Sequence, residues 1–414
     1  GSLSNVVFNH NIALSVCAES RRWNEALSLL GSMRAAGVEP DVVSYNTCIS
    51  ACARAGKWEK AVETLREMSG AGAVAPDVIS FSSAISACKR AGQWETAVSL
   101  LRGMPAAGVA PNSISYNAAM TACVGGGGRW RHALEILRQM PEDGIEPDVV
   151  SYNSAIAALG SAGRVDEAVS LLREMVDGGA GVDRSVTPDT ISWNSAITAV
   201  GNTGDWSRAL GLLREMIANV GEGGGERRGV HPDVISFSAA LKVLASHGRW
   251  KEAEALLKEM PTVGLSPTPL CYSRAIAANG VAGETDRAIA LLEEMDSAGV
   301  APNALTYSAA ISALGKSGQC DLALKLLEEE MPARGIPPHE FCFNSAITAC
   351  GIAGKWERAM GLLGRMRDGG GEEGGRVSPS EATYTALISA VGNCGEMETA
   401  LSLLREMRDA GHAP

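Results

Sequence analysis

Residues 42–56 read VVSYNTCISACARAG, and nearly the same string returns at 78–92 (VISFSSAISACKRAG), 113–127 (SISYNAAMTACVGGG), 149–163 (VVSYNSAIAALGSAG) and 190–204 (TISWNSAITAVGNTG). Aligning the chain on these strings gives a period of 35 residues. Self-similarity at that spacing marks a solenoid, whose units bury their apolar faces only by stacking on one another. Units begin at Val7, Val42, Val78, Ser113, Val149, Thr190, Val234, Pro269, Ala304, Glu340 and Glu381. A single array is therefore expected over 7–414, divided as 7–41, 42–77, 78–112, 113–148, 149–189, 190–233, 234–268, 269–303, 304–339, 340–380 and 381–414, with residues 1–6 left as an N-terminal remnant.

Within the unit 42–77, Tyr45, Ile49 and Cys52 recur at helical spacing, and after Ala55-Gly56 so do Trp58, Ala61, Val62, Leu65 and Met68. Each unit thus reads as a helical hairpin. Gly56, Gly92, Gly163 and their equivalents stand where the first helix must stop, which suits a left-handed cap. Pro40, Pro76 and Pro111 are expected to end the second helix. The fold class is all-α, a right-handed superhelical solenoid of helix-turn-helix repeats. Seven tryptophans (Trp23, Trp58, Trp94, Trp130, Trp206, Trp250, Trp356) and eleven methionines fall at two repeated positions, and are read as packing between helices.

The rest of the composition narrows the function. Apolar residues make up 46 % of the chain and charged ones 20 %, enough to bury a continuous core. No apolar run approaches the roughly 20 residues needed to cross a bilayer, so no membrane partner is expected. Gly1-Ser2 is foreign in character, and a targeting segment upstream of it is compatible with the sequence. Of ten cysteines, Cys17, Cys52, Cys88, Cys123 and Cys350 share one core position, and no C-x-x-C pair exists, so neither disulfides nor a zinc site nor any other cofactor is expected. The six histidines are scattered and no nucleophile motif is present, which argues against an enzyme. Four glycine-rich insertions (Asp177 to Val186, Val220 to Gly229, Asp368 to Arg376, Gly125 to Gly128) read as loops on the solenoid edge; the second lacks the strand and Lys-Ser/Thr of a phosphate loop.

The 35-residue period, the V-V-S-Y-N start, the A-G-x-W-E-x-A middle and the L-L-R-E-M…G-V-x-P-D end resemble the pentatricopeptide repeat (PPR) family, in its pure P-type form, with no deaminase-like or nuclease tail. The resemblance implies an organellar protein of mitochondrion or chloroplast that binds single-stranded RNA, repeats running from the 5′ to the 3′ end. In such a protein the second residue of each unit wedges beside a base: here Phe8, Val43, Ile79, Ile114, Val150, Ile191, Ile235, Leu270, Leu305 and Phe341, with Ala382 in the last unit. Bulky apolar side chains suit the face that every base offers.

The resemblance also implies that the fifth and last residues of a unit read the base edge together. The pairs are Asn11/Asp41, Asn46/Asp77, Ser82/Asn112, Asn117/Asp148, Asn153/Asp189, Asn194/Asp233, Ser238/Thr268, Ser273/Asn303, Ser308/His339 and Asn344/Ser380, while Thr385 has no partner. Helix capping alone accounts for most of the last residues, because Asp, Asn, Ser and Thr are preferred N-caps. It does not account for the correlation, Asp going with Asn and Asn with Ser, at opposite ends of a unit. By resemblance, Asn with Asp favours U, Ser with Asn favours A and Asn with Ser favours C, so the expected target is 5′-UUAUUU-x-A-x-C-3′.

A net charge of −11 runs against nucleic-acid binding. First helices nevertheless carry six basic residues (Arg54, Lys89, Arg90, Lys242, Arg274, Lys316) against three acidic ones, which places most acid on second helices, the expected convex side. Arg54, Arg90 and Lys316 share one repeat position and are the phosphate candidates. The acidic side keeps open a second reading, a protein-binding scaffold with partners on the convex face. A monomer is expected. Deleting Gly221 to Arg228 should leave melting temperature and RNA affinity nearly unchanged, since an edge loop closes at small entropic cost; a large loss of binding would make that insertion a contact surface.

Overall fold

The computed structural model describes residues 2–70, 74–125, 128–178, 186–218, 230–368 and 377–412, so most of the glycine-rich insertions lie outside the described residues. Among the described residues every regular element is helical. The chain forms two compact units, Gly1–Thr203 and Gly204–Pro414. In each, helical hairpins stack side by side. First helices (such as Val42–Arg54 and Val78–Arg90) pack on the first helices of neighbouring repeats, and second helices (such as Trp58–Gly70) cover them as an outer layer.

Helix starts are set by side chains. From the second repeat on, first helices begin at Val42, Val78, Ser113, Val149, Thr190, Val234, Pro269, Ala304, Glu340 and Glu381. The first repeat differs: its helix runs Ser2–Glu19, so residues 2–6 are helical rather than a remnant preceding the fold. Most first helices end at a left-handed glycine, as at Gly56 (φ 71°), while the first repeat uses Arg21 (φ 56°). Second helices end the same way rather than at proline. Gly37 (φ 70°) lets the Val38 N–H reach back to the Met33 carbonyl at 2.9 Å, three residues before Pro40.

The methionines fill the core as the period predicts. Met33, Met68, Met104, Met140 and Met260 are fully buried, each such side chain contributing about 1.5–3 kcal/mol of apolar burial. In the ninth repeat an extra glutamate would rotate this residue out of register. The helix there widens to a π turn over Leu326–Glu330, and Met331 remains buried. From the second repeat on the fourth position is a Tyr, Phe or Trp (Tyr45, Phe81, Tyr116, Tyr152, Trp193 and onward) and is buried, whereas the first repeat has a half-buried His10.

The seven periodic tryptophans are different: each opens a second helix but is only half-buried. Four of them carry a cation from the next repeat, Lys57 over Trp23 (5.8 Å), Arg129 over Trp94 (5.9 Å), Arg164 over Trp130 (4.9 Å) and Arg249 over Trp206 (3.9 Å). They join outer helices at the surface, where a cation over a ring contributes roughly 0.5–1 kcal/mol. All ten cysteines are free. Burial pushes the Cys48 thiol up to about 12 and Cys52, Cys88 and Cys123 to about 11, so these thiols stay protonated. Cys17, on the terminal helix, is half-buried rather than core.

First helices approach so closely that a methyl group matters. A Cβ at Gly351 would lie 2.6 Å from the Ala390 Cβ and 2.8 Å from its Cα, and one at Gly160 would lie 2.5 Å from the Ala199 Cβ. Gly361, on the exposed face of the second helix Trp356–Asp368, meets nothing within 4 Å. Gly351→Ala should therefore cost about 1–3 kcal/mol by overpacking, and Gly361→Ala should gain about 0.5–1 kcal/mol by restricting the unfolded chain. Denaturant unfolding of the two variants measures both; equal shifts would refute the close approach.

Candidate nucleic-acid interface

The first-helix layer exposes a row of apolar side chains that a packed core would be expected to hide. Phe8, Val43, Ile79, Ile114, Val150 and Ile191 in the first unit, and Ile235, Leu270, Leu305 and Phe341 in the second, are 40–65 % exposed. They are the second residues of ten successive repeats. Neighbouring positions explain why: residues three and four turn inward, so residue two faces outward at the start of the helix.

Beside this row sit the fifth and last residues, and the structure joins them directly. Asn11 Nδ2 donates to Asp41 Oδ1 at 3.1 Å, Asn46 to Asp77 at 3.0 Å, Asn117 to Asp148 at 3.0 Å and Asn153 to Asp189 at 3.1 Å. The same carboxylates cap the following helices, accepting from the backbone N–H of Ser44, Ser80, Ser151 and Ser192 at 2.8–2.9 Å. A third residue completes the set: the hydroxyls of Ser44, Ser80 and Ser151 lie 2.6–2.7 Å from the Oδ1 of Asn11, Asn46 and Asn117. The paired Asn and Asp, at opposite ends of a unit in sequence, are thus in direct contact, which gives the correlation an intramolecular basis beside a shared function. The serine was missed in the sequence, although Asp-x-x-Ser before an apolar run is a capping-box pattern.

Burial pushes the Asp41 and Asp77 carboxyls upward, but hydrogen bonds from the Ser44 or Ser80 backbone, from those hydroxyls and from Asn11 or Asn46 outweigh it, and both end below the ordinary value. A depressed folded-state value means stability present above the unfolded value of about 3.9 and lost as pH falls below it. At neutral pH these caps are ionised.

The Ser/Asn pairs behave differently. Ser82 Oγ is buried and has no hydrogen-bond partner, while Asn112 Oδ1 accepts from the Ser115 N–H at 3.0 Å. A cavity of about 340 Å³ opens onto this pair and is lined by Ile79, Ile114, Arg54 and Arg90 among others. In the second unit Ser273 Oγ lies 3.4 Å from the Leu305 carbonyl, and Asn303 accepts from Leu305 and Thr306 N–H. Direct contact does not explain why Ser accompanies Asn.

Repeats seven, nine and ten depart from the pattern. Thr268 and His339 make no side-chain cap; the third residue of the following helix is then Cys271 or Cys342, 3.4 Å from the Thr268 hydroxyl or the His339 ring. Ser238 is covered by Arg274, and Ser308 is buried. In repeat ten Glu340 accepts from Asn344 Nδ2 at 3.4 Å and from the Ser380 hydroxyl, while Asn344 Oδ1 is unpartnered. Thr385 and Ser380 line a second cavity, of about 670 Å³. Asn194 is half-buried in the first unit and Asp233 caps Val234–Ser246 in the second.

Arg54, Arg90 and Lys316 are exposed, and Arg90 Nη1 donates to the Ala53 carbonyl at 3.3 Å. Acid on second helices is partly neutralised by a neighbouring repeat, Arg34 with Glu67, Arg102 with Glu135 and Arg287 with Glu254. Among the described residues no group of His, Cys, Asp and Glu could hold a metal, and no helix is long and apolar enough to cross a membrane.

Family models agree with this repeat pattern. One described as "PPR repeat family" matches residues 5–54, 40–90 and 76–125, others described as "PPR repeat" match 114–145, 143–176, 191–219, 341–371 and 382–412, and a "Pentatricopeptide repeat domain" matches 225–281 and 272–317. No curated sequence relative matches. Among solved structures, the pentatricopeptide repeat protein PPR10 from maize aligns with a TM-score of 0.64 and 25 % identity over 98 % of this chain and 59 % of its own. Its complex with an 18-nt psaJ RNA element aligns with a TM-score of 0.55, 26 % identity and coverage of 99 % and 60 %. This chain therefore spans about three-fifths of the maize protein. Yeast Rmd9p, solved with a 16-nt target RNA, shares the fold at a TM-score of 0.51 and 10 % identity, over 95 % of this chain and 96 % of its own.

A double-mutant cycle of Asn46→Ala and Asp77→Ala, measured without nucleic acid, should show a coupling of about 0.5–1.5 kcal/mol in stability. Strict additivity would mean that the two side chains act separately.

Proposed function

Because the chain belongs to the pentatricopeptide repeat family, we propose that it binds single-stranded RNA one nucleotide per repeat, reading each base with the fifth and last residues while the second residues wedge between bases. Binding, rather than catalysis, is the proposed activity, in organellar RNA processing, stability or translation. The observation that carries this reading is the seat in repeat three. There an exposed apolar residue stands on either side, Ile79 and Ile114, Arg54 and Arg90 line the same cavity, and Ser82 Oγ is a buried polar atom with nothing to bond. Leaving a buried hydroxyl unsatisfied costs about 1–3 kcal/mol, which a base edge would offset on entering. Two apolar walls suit the faces of a base, and a cation suits its phosphate.

In the Asn/Asp repeats the intramolecular bond pre-organises the reader. The carboxylate fixes the amide, so little rotamer entropy is lost when a base arrives. Maize PPR10 and yeast Rmd9p, each solved with RNA, support the ligand class. The proposed target is 5′-UUAUUU-x-A-x-C-3′, with Arg54, Arg90 and Lys316 on the phosphates.

Repeat three tests the code. Ser82→Asn together with Asn112→Asp copies the pair of the repeats on either side, Asn46/Asp77 and Asn117/Asp148, and retains a cap for Ser113–Ala122. Preference at the third nucleotide should move from A to U by about 1–3 kcal/mol, with the other nucleotides read as before and stability nearly unchanged. Competition binding with RNAs that differ only at that nucleotide decides it: identical ranking of the four bases by both proteins would defeat the code.

A further inference from the structure

The sixth residue of a repeat is small from the second repeat onward (Thr47, Ser83, Ala118, Ser154, Ser195, Ala239, Ala309, Ser345, Ala386), with one exception, Arg274 in repeat eight. Its side chain reaches back to repeat seven. Nη1 donates to the Ser238 carbonyl and lies 2.5 Å from Ser238 Oγ, the fifth residue of that repeat. Thr268, the last residue, sits 3.4 Å from Cys271 Sγ and caps nothing. Neither member of the Ser238/Thr268 pair is therefore presented as in repeat three, where Ser82 Oγ is bare. The guanidinium is half-buried, and no described carboxylate pairs with it; burial lowers its proton affinity somewhat, but an arginine remains charged. Of its five N–H groups, at least three, on Nη2 and Nε, are left over from the contacts to Ser238.

We propose that Arg274, rather than Ser238 with Thr268, selects the nucleotide at repeat seven, and that it selects guanine. A planar fork of donors calls for two adjacent acceptors; guanine presents O6 beside N7, the commonest bidentate partner of arginine, and in a single strand cytosine presents N3 beside O2. Uracil separates its acceptors by a donor and adenine places a donor next to its N7, so cytosine is the competitor that the comparison of four RNAs must exclude. The inference rests on the RNA reading above, and assigns the first of the two positions that the fifth-and-last pairing leaves undefined.

The test uses the full chain and four RNAs, 5′-UUAUUU-N-A-U-C-3′, with N each base in turn, and a scrambled control. Wild type should prefer guanine at N by about tenfold or more. Arg274→Ala should bring the four RNAs within about twofold of one another while leaving the third-nucleotide preference intact. Arg274→Lys keeps the charge without the fork, and should also lose the guanine preference. Equal binding of the four RNAs by wild type, preference for another base, or a uniform loss across all four in Arg274→Ala that Arg274→Lys restores, would overturn the inference, the last by making Arg274 a phosphate contact. These outcomes leave the RNA reading standing. If none of the four RNAs outcompetes the scrambled control, the RNA reading itself falls and takes this inference with it.

Discussion

A single carboxylate at the end of each regular repeat is asked to do two things at once. Asp77 starts the helix that follows, through the Ser80 N–H at 2.8 Å, and holds the amide of Asn46 on the helix before it at 3.0 Å. The N-cap is where a helix has orphan donors to satisfy, so the group is fixed by backbone chemistry before any ligand is considered. Tying the amide to it means that the relative placement of two successive first helices and the orientation of the candidate reading group are one constraint. Ser80 closes the ring by reaching the other end of the Asn46 amide. Under the proposed reading, capping and recognition are therefore not rival explanations for these residues: the first would supply the rigidity that the second requires.

How much of this was legible depended on whether a signal was local and periodic. The period, the helix starts from Val42 onward, the glycine stops and the buried methionines all follow from residues that repeat at fixed offsets and act within one turn. The tryptophans do pack between helices, but periodicity says that a position is structural without saying how deep it lies; at the first turn of an outer helix, Trp94 meets Arg129 and His132 at the surface rather than a closed core. Proline as a terminator was a similar error. Its fixed φ forbids continuation, but a left-handed glycine had already ended the helix. The contact between Asn46 and Asp77 was illegible for another reason: residues 31 apart in sequence meet only once two helices have stacked.

Charge is distributed to match this division of labour. Glu67, Glu135 and Glu254 on the outer helices face arginines of adjacent repeats, so the acidic excess is partly spent within the second-helix layer, although exposed pairs of this kind are each worth little. The first-helix layer keeps exposed cations at Arg54, Arg90 and Lys316, in the last turns of helices whose first turns are capped by Asp41, Asp77 and Asn303. An RNA lying along such a surface would meet apolar wedges and fixed polar groups more than a basic field. Its affinity would then depend less on salt than is usual for nucleic-acid binding.

The irregular repeats show what happens when the shared carboxylate is absent. Where Thr268 and His339 replace it, the third residue of the next helix is Cys rather than Ser or Thr, and no capping box forms. In repeat seven the fifth residue, Ser238, is instead covered by Arg274 of the next repeat. In repeat ten, where Ser380 is the last residue, it is Glu340 that bridges Asn344 and Ser380. Substitution at one end of the network thus propagates to its other members, through contacts between neighbouring repeats rather than through the sequence of any one. Under the proposed reading, a code that takes the fifth and last residues as an isolated pair would require a hydroxyl at the third residue of the next repeat and a small sixth residue, since these two change which contacts the pair makes within the protein.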